Sequence, residues 1–255
     1  VDVCDRGADT FEFLEHEVRS GRTFVVRSSY DRGTYCSDEK NATKTMLHPV
    51  ARSLPSLGEW TMKVEASKTK KTVRKTVNGK RISETVVVDR KAREAVVHVS
   101  ASPVIVAAPR RHRGHHGNKP LPMWVVRVWE PNPPAGAEAL EWILLTNHAC
   151  TDLEAAQRVK SWYECRWICE EFHKGQKTGC GIENPQFTSS DRLHPMIAIL
   201  SVVALSLLNL REYGRREDAK TRPATDLFSA EYVNVLSASR HRKTKPAWSI
   251  YDFCM

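Results

Sequence analysis

The segment from Ser161 to Gly181 constrains the fold most, because its pattern predicts one helix with two different faces. At about 100° per residue, one polar set falls within a sector of about 60°: Tyr163, Arg166, Glu170 and Lys177. The opposite side carries Cys165, Ile168, Cys169 and Phe172. A carboxylate surrounded by a phenol and two cations is suited to a phosphate and a metal ion. A solvated face with i,i+4 charge pairs is the structural alternative.

The polar set also matches a known motif. Glu170 is a hard oxygen ligand of the kind that Mg²⁺ or Mn²⁺ prefers, and Arg166 and Lys177 are suited to hold phosphodiester oxygens. The spacing of these residues, together with the run EEFHKGQKTG, resembles the Y-R-E-K signature of bacterial DDE transposases of the IS-four family, of the Tn-five type. The resemblance implies that Glu170 is a catalytic, metal-binding carboxylate and that Tyr163, Arg166 and Lys177 contact DNA.

A second matching block begins the chain. The first residues predict a strand, a turn, a helix capped by Asp9 or Thr10, and a second strand, with Asp5 at the tip of the first strand. VCDRGAD is similar to the transposase block that carries the second catalytic Asp, and FVVRS resembles the strand that follows it. The resemblance implies that Asp5 is a metal-binding, catalytic residue and that Arg27 contacts the DNA backbone. A turn cap for Asp5 and a surface position for Arg27 remain as alternatives.

The region from Tyr30 to about Pro134 predicts antiparallel strands and no helix of useful length. Asn78-Gly79 is a hairpin turn signal, and seven Lys or Arg lie between Lys68 and Arg81 with no acidic residue. This hairpin can bind a phosphate backbone through Lys70, Lys71, Arg74 and Lys75, or can be a strand edge protected by lysines.

Trp142 lies in the predicted buried strand LEWILLT. Transposases that distort DNA ends need an aromatic residue that replaces a base in the stack, so Trp142 is a candidate for DNA contact. Packing in the core is the alternative. Thr151-Asp152 is a candidate cap for the helix that follows this strand.

The amino-acid composition indicates which binding partner and which cellular compartment to expect. Lys and Arg exceed Asp and Glu by 39 to 30, a net charge of +9, which favours a polyanionic partner such as double-stranded DNA. Seven cysteines without a regular framework favour a reducing, cytoplasmic compartment. Cys165, Cys169 and His173 have helical spacing that could bind zinc, but buried thiols are the preferred interpretation.

The longest apolar run, Met196 to Leu210, is shorter than a membrane span usually needs. It therefore predicts a buried core helix, from Pro195 to Arg211, that packs against the sheet. No signal peptide is visible, and no membrane partner is expected.

The resemblance implies an α/β fold with a ribonuclease-H-like core, incomplete at its N-terminus, and a β-rich insertion. The expected core comprises residues 1–29 and 140–213, the insertion 30–139, and a tail of unassigned role 214–255. The implied activity is metal-dependent cleavage of transposon ends and strand transfer, by a protein that is a homodimer at full length.

In this family the first catalytic Asp precedes the VCDRGAD block, so the chain from Val1 is expected to be a fragment that is inactive alone. Two alternatives remain: a catalytically inactive DNA-binding remnant and a different ribonuclease-H-like nuclease.

Overall fold

The structure, a computed structural model, describes residues 1–35, 43–64, 66–77, 80–109, 116–242 and 248–254. For residues 67–71, 73–77, 80–82, 88–90 and 241 the description covers the backbone alone. The chain forms two compact units, Val1–Arg166 and Trp167–Met255.

Ten strands lie in the described residues of the first unit. In chain order they are β1 (Asp2–Cys4), β2 (Phe24–Arg27), β3 (Gly33–Tyr35), β4 (Thr45–Met46), β5 (Gly58–Val64), β6 (Ser67–Val77), β7 (Lys80–Arg90), β8 (Arg93–Val106), β9 (Leu121–Trp129) and β10 (Glu141–Thr146). Eight of them form a mixed sheet in the order β1-β2-β10-β9-β8-β3-β4, with β5 also paired to β8. β1 and β2 are parallel, with Cys4 opposite Val26, and β2 is antiparallel to β10. The α/β class is therefore confirmed.

Three helices pack on this sheet: α1 (Phe11–Arg19), α2 (Leu47–Ser53) and α3 (Leu153–Glu164). Thr10 caps α1, since its hydroxyl accepts the N–H of Phe13 at 3.2 Å. Asp152 caps α3 by accepting the N–H of Ala155 at 2.8 Å. α2 was not predicted from the sequence. Its N-cap residue, Met46, provides no side-chain bond, and Asp31 accepts the N–H of His48 at 2.8 Å instead. Pro49 lies in the first turn, where a backbone N–H has no helical partner.

The side chains of β2 divide the hydrophobic core in two. Phe24 and Val26 pack in the cluster that includes residues of α1 and α2, whereas Val25 packs in the cluster that includes residues of α3. All three are completely buried, and full burial of such a side chain contributes about 1.5–3 kcal/mol. Because side chains alternate along a strand, Arg27 lies on the same side of the sheet as Val25 and α3.

β6 and β7 form a separate two-stranded antiparallel ribbon, in register from Ser67 opposite Arg90 to Val77 opposite Lys80. The antiparallel hairpin is therefore confirmed, although its predicted turn, Asn78-Gly79, lies outside the described residues.

The second unit is helical. It contains α4 (Arg166–Lys174), whose first residue closes the first unit, then a π-helical turn (Gly175–Gly179), α5 (Ser190–Arg215), α6 (Ala230–His241) and α7 (Ile250–Cys254). Its small core consists of Ala224, Val233 and Trp248, with Phe228 and Phe253 against them.

The apolar run predicted to be a buried helix is helical, but it is not buried. α5 has a mean hydropathy of 2.0 over 18 residues, yet only 6% of that window is buried. Its exposed apolar residues include Ile199, Val202 and Leu205, which are 51–67% exposed. By length and composition α5 could also cross a membrane, a property shared by core helices of soluble proteins. The run is apolar around most of its circumference, so its sequence could not indicate which side would be covered.

Candidate anion-binding site

Asp5 follows β1 and fixes the turn after it. Its Oδ1 accepts the N–H of Gly7 at 2.8 Å, which caps the short 3-10 turn Arg6–Ala8. A Cβ atom at Gly7 would lie 3.1 Å from this oxygen, so glycine leaves room for the cap. The capping role left open for Asp5 is therefore confirmed. Its role as a metal ligand stays a prediction, and the side chain is exposed.

Asp9 holds the other end of the turn. Its side chain is fully buried and accepts the N–H groups of Ser29 at 2.5 Å and Tyr30 at 3.0 Å. It also forms an ion pair with Arg32. Asp9 thus joins the segment after β1 to the segment after β2, a role that the sequence analysis did not anticipate.

Arg27 ends β2 beside this turn. Cys4 pairs with Val26, so the next residues along the two parallel strands are Asp5 and Arg27, and the turn Arg6–Ala8 contacts β2. The guanidinium donates a hydrogen bond from Nη2 to the main-chain oxygen of Glu141, at 3.1 Å, and is also hydrogen-bonded to the Tyr163 phenol. In the part of the chain that the structure describes, no carboxylate forms an ion pair with Arg27.

The carboxylate of Glu141 does not neutralise Arg27, because two other arginines engage it. Nη2 of Arg52 lies 2.6 Å from Oε2, and Nη2 of Arg127 lies 2.9 Å from Oε1. The hydrogen bond from Arg52 is the main cause that lowers the pKa of Glu141. Arg27 therefore keeps a full positive charge near the end of the sheet.

Two more cations lie near Arg27. Burial is the largest influence on the pKa of Arg27 and lowers it, while the Tyr163 phenol raises it. The positive charges of Arg6 and Arg166 lower that pKa as well. The guanidinium carbon of Arg166 lies 5.9 Å from the centre of the Tyr163 ring. Three guanidinium groups and a phenol are thus gathered where β1, β2 and the end of α3 meet.

Trp142 belongs to the wall of this site. Its ring packs edge-on against that of Tyr163, with centroids 5.5 Å apart and an angle of 62° between the rings. Tyr163 is only 3% exposed, and Trp142 packs against the same core cluster. The packing role is confirmed, and stacking on a DNA base stays a prediction.

The predicted single helix from Ser161 to Gly181 is wrong in detail. α3 ends at Glu164, and the N–H of Cys165 bonds to the carbonyls of both Ser161 and Trp162, which tightens the last turn. Farther on, Cys180 bonds back five residues to Gly175, so Lys177 lies in a wider π turn. Gly181, with φ of +59°, ends the helical segment as predicted.

The other two signature residues lie in the second unit. Glu170 is exposed on α4, and the Nζ of Lys177 lies 2.9 Å from Oε1 of Glu183. The first unit therefore brings together Arg27, Tyr163 and Arg166 and places Asp5 next to Arg27. The roles of Glu170 and Lys177 stay predictions.

The thiols of the same segment differ from expectation. Cys165 and Cys169 are exposed, so the interpretation of them as buried small hydrophobes is wrong. The helix is interrupted at Cys165, and α4 has no buried residue, so the side that carries Cys169 is not covered. Among the described residues, no group of three or more His, Cys, Asp or Glu side chains could hold a metal ion.

The basic hairpin residues Lys70, Lys71, Arg74 and Lys75 lie in β6, but their side chains are outside the described part. Their DNA contact stays a prediction. The site that the structure does describe has the chemistry of a phosphate receptor, because it combines planar guanidinium groups with a phenol. No protein-family model matches the chain.

Proposed function

We propose that the protein is a DNA transposase that cleaves transposon ends and transfers the strand into target DNA by metal-dependent phosphodiester chemistry. The supporting observation is Arg27, a half-buried cation with no carboxylate partner among the described residues and with Arg166 nearby. Burying a charge without a partner costs free energy, so a site of this kind is suited to an anionic ligand. A DNA phosphate supplies that charge.

The chain's own residues have distinct roles in this proposal. Arg27 and Arg166 bind phosphate oxygens, Tyr163 orients Arg27 from the core, and Lys177 is a further proposed DNA contact. Lys70, Lys71, Arg74 and Lys75 on β6 provide a further positive surface for duplex DNA, which is the expected partner. The full-length protein is expected to act as a homodimer in the cytoplasm.

Asp5 and Glu170 would hold Mg²⁺ or Mn²⁺. Both are exposed carboxylates, and their oxygen donors fit these hard cations better than they fit zinc. When bound, the metal activates water or a 3′-hydroxyl and stabilises the leaving oxygen. Asp5 uses Oδ1 as a cap, which holds its carboxylate in one orientation beside the phosphate that Arg27 binds.

The fold supports the proposal at the level of its elements. A parallel pair, β1 and β2, continues into an antiparallel β10 and is covered by α3, which is compatible with a ribonuclease-H-like core. We assign residues 1–29 and 140–213 to that core and 30–139 to a β-rich insertion. An inactive DNA-binding remnant is the alternative function, and metal-dependent cleavage distinguishes the two.

The test is Mg²⁺-dependent nicking of supercoiled plasmid by the purified protein. Asp5→Asn and Glu170→Gln should each abolish the metal-dependent cleavage and leave DNA binding intact, whereas the exposed control Glu154→Gln should have no effect. Cleavage that survives Glu170→Gln would contradict the mechanism, and DNA binding without any metal-dependent cleavage would favour the remnant.

A further inference from the structure

Arg6 is an exposed arginine with no assigned role, and its backbone is held at both ends. It begins the 3-10 turn that Asp5 caps, and its carbonyl accepts the N–H of Asp9 at 3.3 Å. Asp9 is itself anchored to the segment after β2 by two N–H groups and an ion pair. The position of Arg6 beside β2 is therefore set by the fold and does not depend on its side chain.

The surroundings of Arg6 favour an anion. It lies close enough to Arg27 for its charge to lower the pKa of that guanidinium, and Arg166 acts on the same group. No carboxylate forms an ion pair with Arg6 within the described ranges, whereas several other exposed arginines there have one, such as Arg158 with Glu154 at 2.8 Å. Arg6 and Arg27 therefore carry like charges on neighbouring segments, and neither forms an ion pair with a carboxylate in the described ranges. Like charges repel one another, and a phosphate group bound between them relieves that repulsion.

We propose that Arg6 is a phosphate-binding residue that contacts the DNA backbone next to the phosphate held by Arg27. The inference rests on the proposed function, because it takes DNA as the ligand of the site. Arg6 is the exposed member of the cluster and Arg27 the partly buried one, so Arg6 meets the DNA at the rim of the site. It acts as a positioning residue beside Asp5 and takes no part in bond making.

The salt dependence of DNA binding tests the proposal. Each phosphate contact that is lost lowers the slope of log Kd against log salt concentration by about 0.9 for duplex DNA. The probe is a short fluorescein-labelled duplex, and anisotropy is measured with the full chain from about 50 to about 200 mM KCl. We expect Arg6→Ala to lower the slope by about 0.9 and to weaken binding about 5- to 10-fold at low salt. Arg6→Lys, which keeps the charge, should retain the slope.

Arg158→Ala is the matched control, because Arg158 is exposed on α3, carries the same charge and has its own carboxylate partner. It should leave the slope unchanged. If Arg6→Ala gives the same slope as Arg158→Ala, and Arg27→Ala still lowers the slope, then the proposed role of Arg6 is wrong and that of Arg27 stands. If neither Arg6→Ala nor Arg27→Ala changes the slope, the phosphate site and the proposed function both fail. The melting temperature of each variant shows whether weaker binding comes from a lost phosphate contact or from an unfolded protein.

Discussion

Asp9 has no candidate role in DNA binding, yet a single carboxylate at this position holds three partners. It is buried, accepts two backbone N–H groups and forms an ion pair with Arg32, whose side chain is only 12% exposed. Through these bonds it fixes the turn that carries Asp5 and Arg6. The geometry of the candidate site therefore depends on a residue outside it.

We expect Asp9→Ala to lower the free energy of unfolding by about 3–5 kcal/mol, because it leaves a buried guanidinium and two N–H groups unsatisfied. Urea denaturation measures the change. Asp152→Ala, which removes only the cap of α3, is the control and should cost about 1 kcal/mol. If both variants lose the same stability, Asp9 does not anchor the turn.

Glu17 makes stability depend on pH. It is 3% exposed, burial is the main cause that raises its pKa, and Asp2 raises that pKa further, while Arg22 and His16 lower it. An acid with a raised pKa in the folded state binds its proton more tightly there than in the unfolded chain. The contribution of Glu17 to stability is therefore fully present below the unfolded pKa of about 4.3 and is lost as pH rises through the folded value.

The prediction for Glu17 is checked by urea denaturation across this pH range. Wild-type protein should lose stability relative to Glu17→Gln as the pH rises, because glutamine keeps a neutral side chain throughout. Two curves that remain parallel would show that Glu17 titrates normally in the folded protein.

At the scale of elements, the π turn and its end shape the segment that carries Lys177. The buried Gln176 donates to Ser201 at 2.8 Å and lies 3.2 Å from the His173 ring nitrogen, which ties the turn to α4 and α5 within the second unit. Two glycines complete it, and they differ in backbone conformation. Gly181 has φ of +59°, whereas Gly179 does not have a positive φ and has open space around it.

We expect Gly181→Ala to destabilise the protein by about 1–2 kcal/mol, because a Cβ atom is disfavoured at positive φ and would lie 2.6 Å from the Asn184 side chain. Gly179→Ala is the matched control. It should be neutral or stabilising by about 0.5–1 kcal/mol, since alanine suits a helical position better. Thermal or urea unfolding measures the stability of both variants. Equal changes in stability would show that the positive φ of Gly181 is not the cause of the destabilisation.

The whole molecule has two units of unequal packing. The first has two large clusters on its sheet, and the second has a small core around Trp248 with many exposed apolar side chains on α5. Local stability follows buried apolar contact, so the second unit should open more readily.

Hydrogen–deuterium exchange tests this difference. Amides of β9 and β10 should exchange about tenfold or more slowly than those in the middle of α5, because opening α5 exposes little additional apolar surface. Equal protection in both regions would mean that the exposed side of α5 is covered in solution.

The sequence by itself determined the local features. The alternation of FVVR, the caps Thr10 and Asp152, and the stop at Gly181 each depend on neighbours a few residues away, and the structure contains all of them. The residue types of the DRGAD turn likewise indicated a cap at Asp5. The transposase function was reached through resemblance to a motif and remains a proposal.

Only the tertiary structure decided which charges share a site. Arg6, Arg27 and Arg166 come from three distant segments, and the pairing of β1 with β2 and the packing of α3 bring them together. Helix periodicity alone placed Glu170 and Lys177 with Tyr163, but the tightened turn at Cys165 and the π turn break that regular spacing. Burial of α5 could not be read from its composition either, because coverage depends on which surfaces meet it and not on how apolar the helix is.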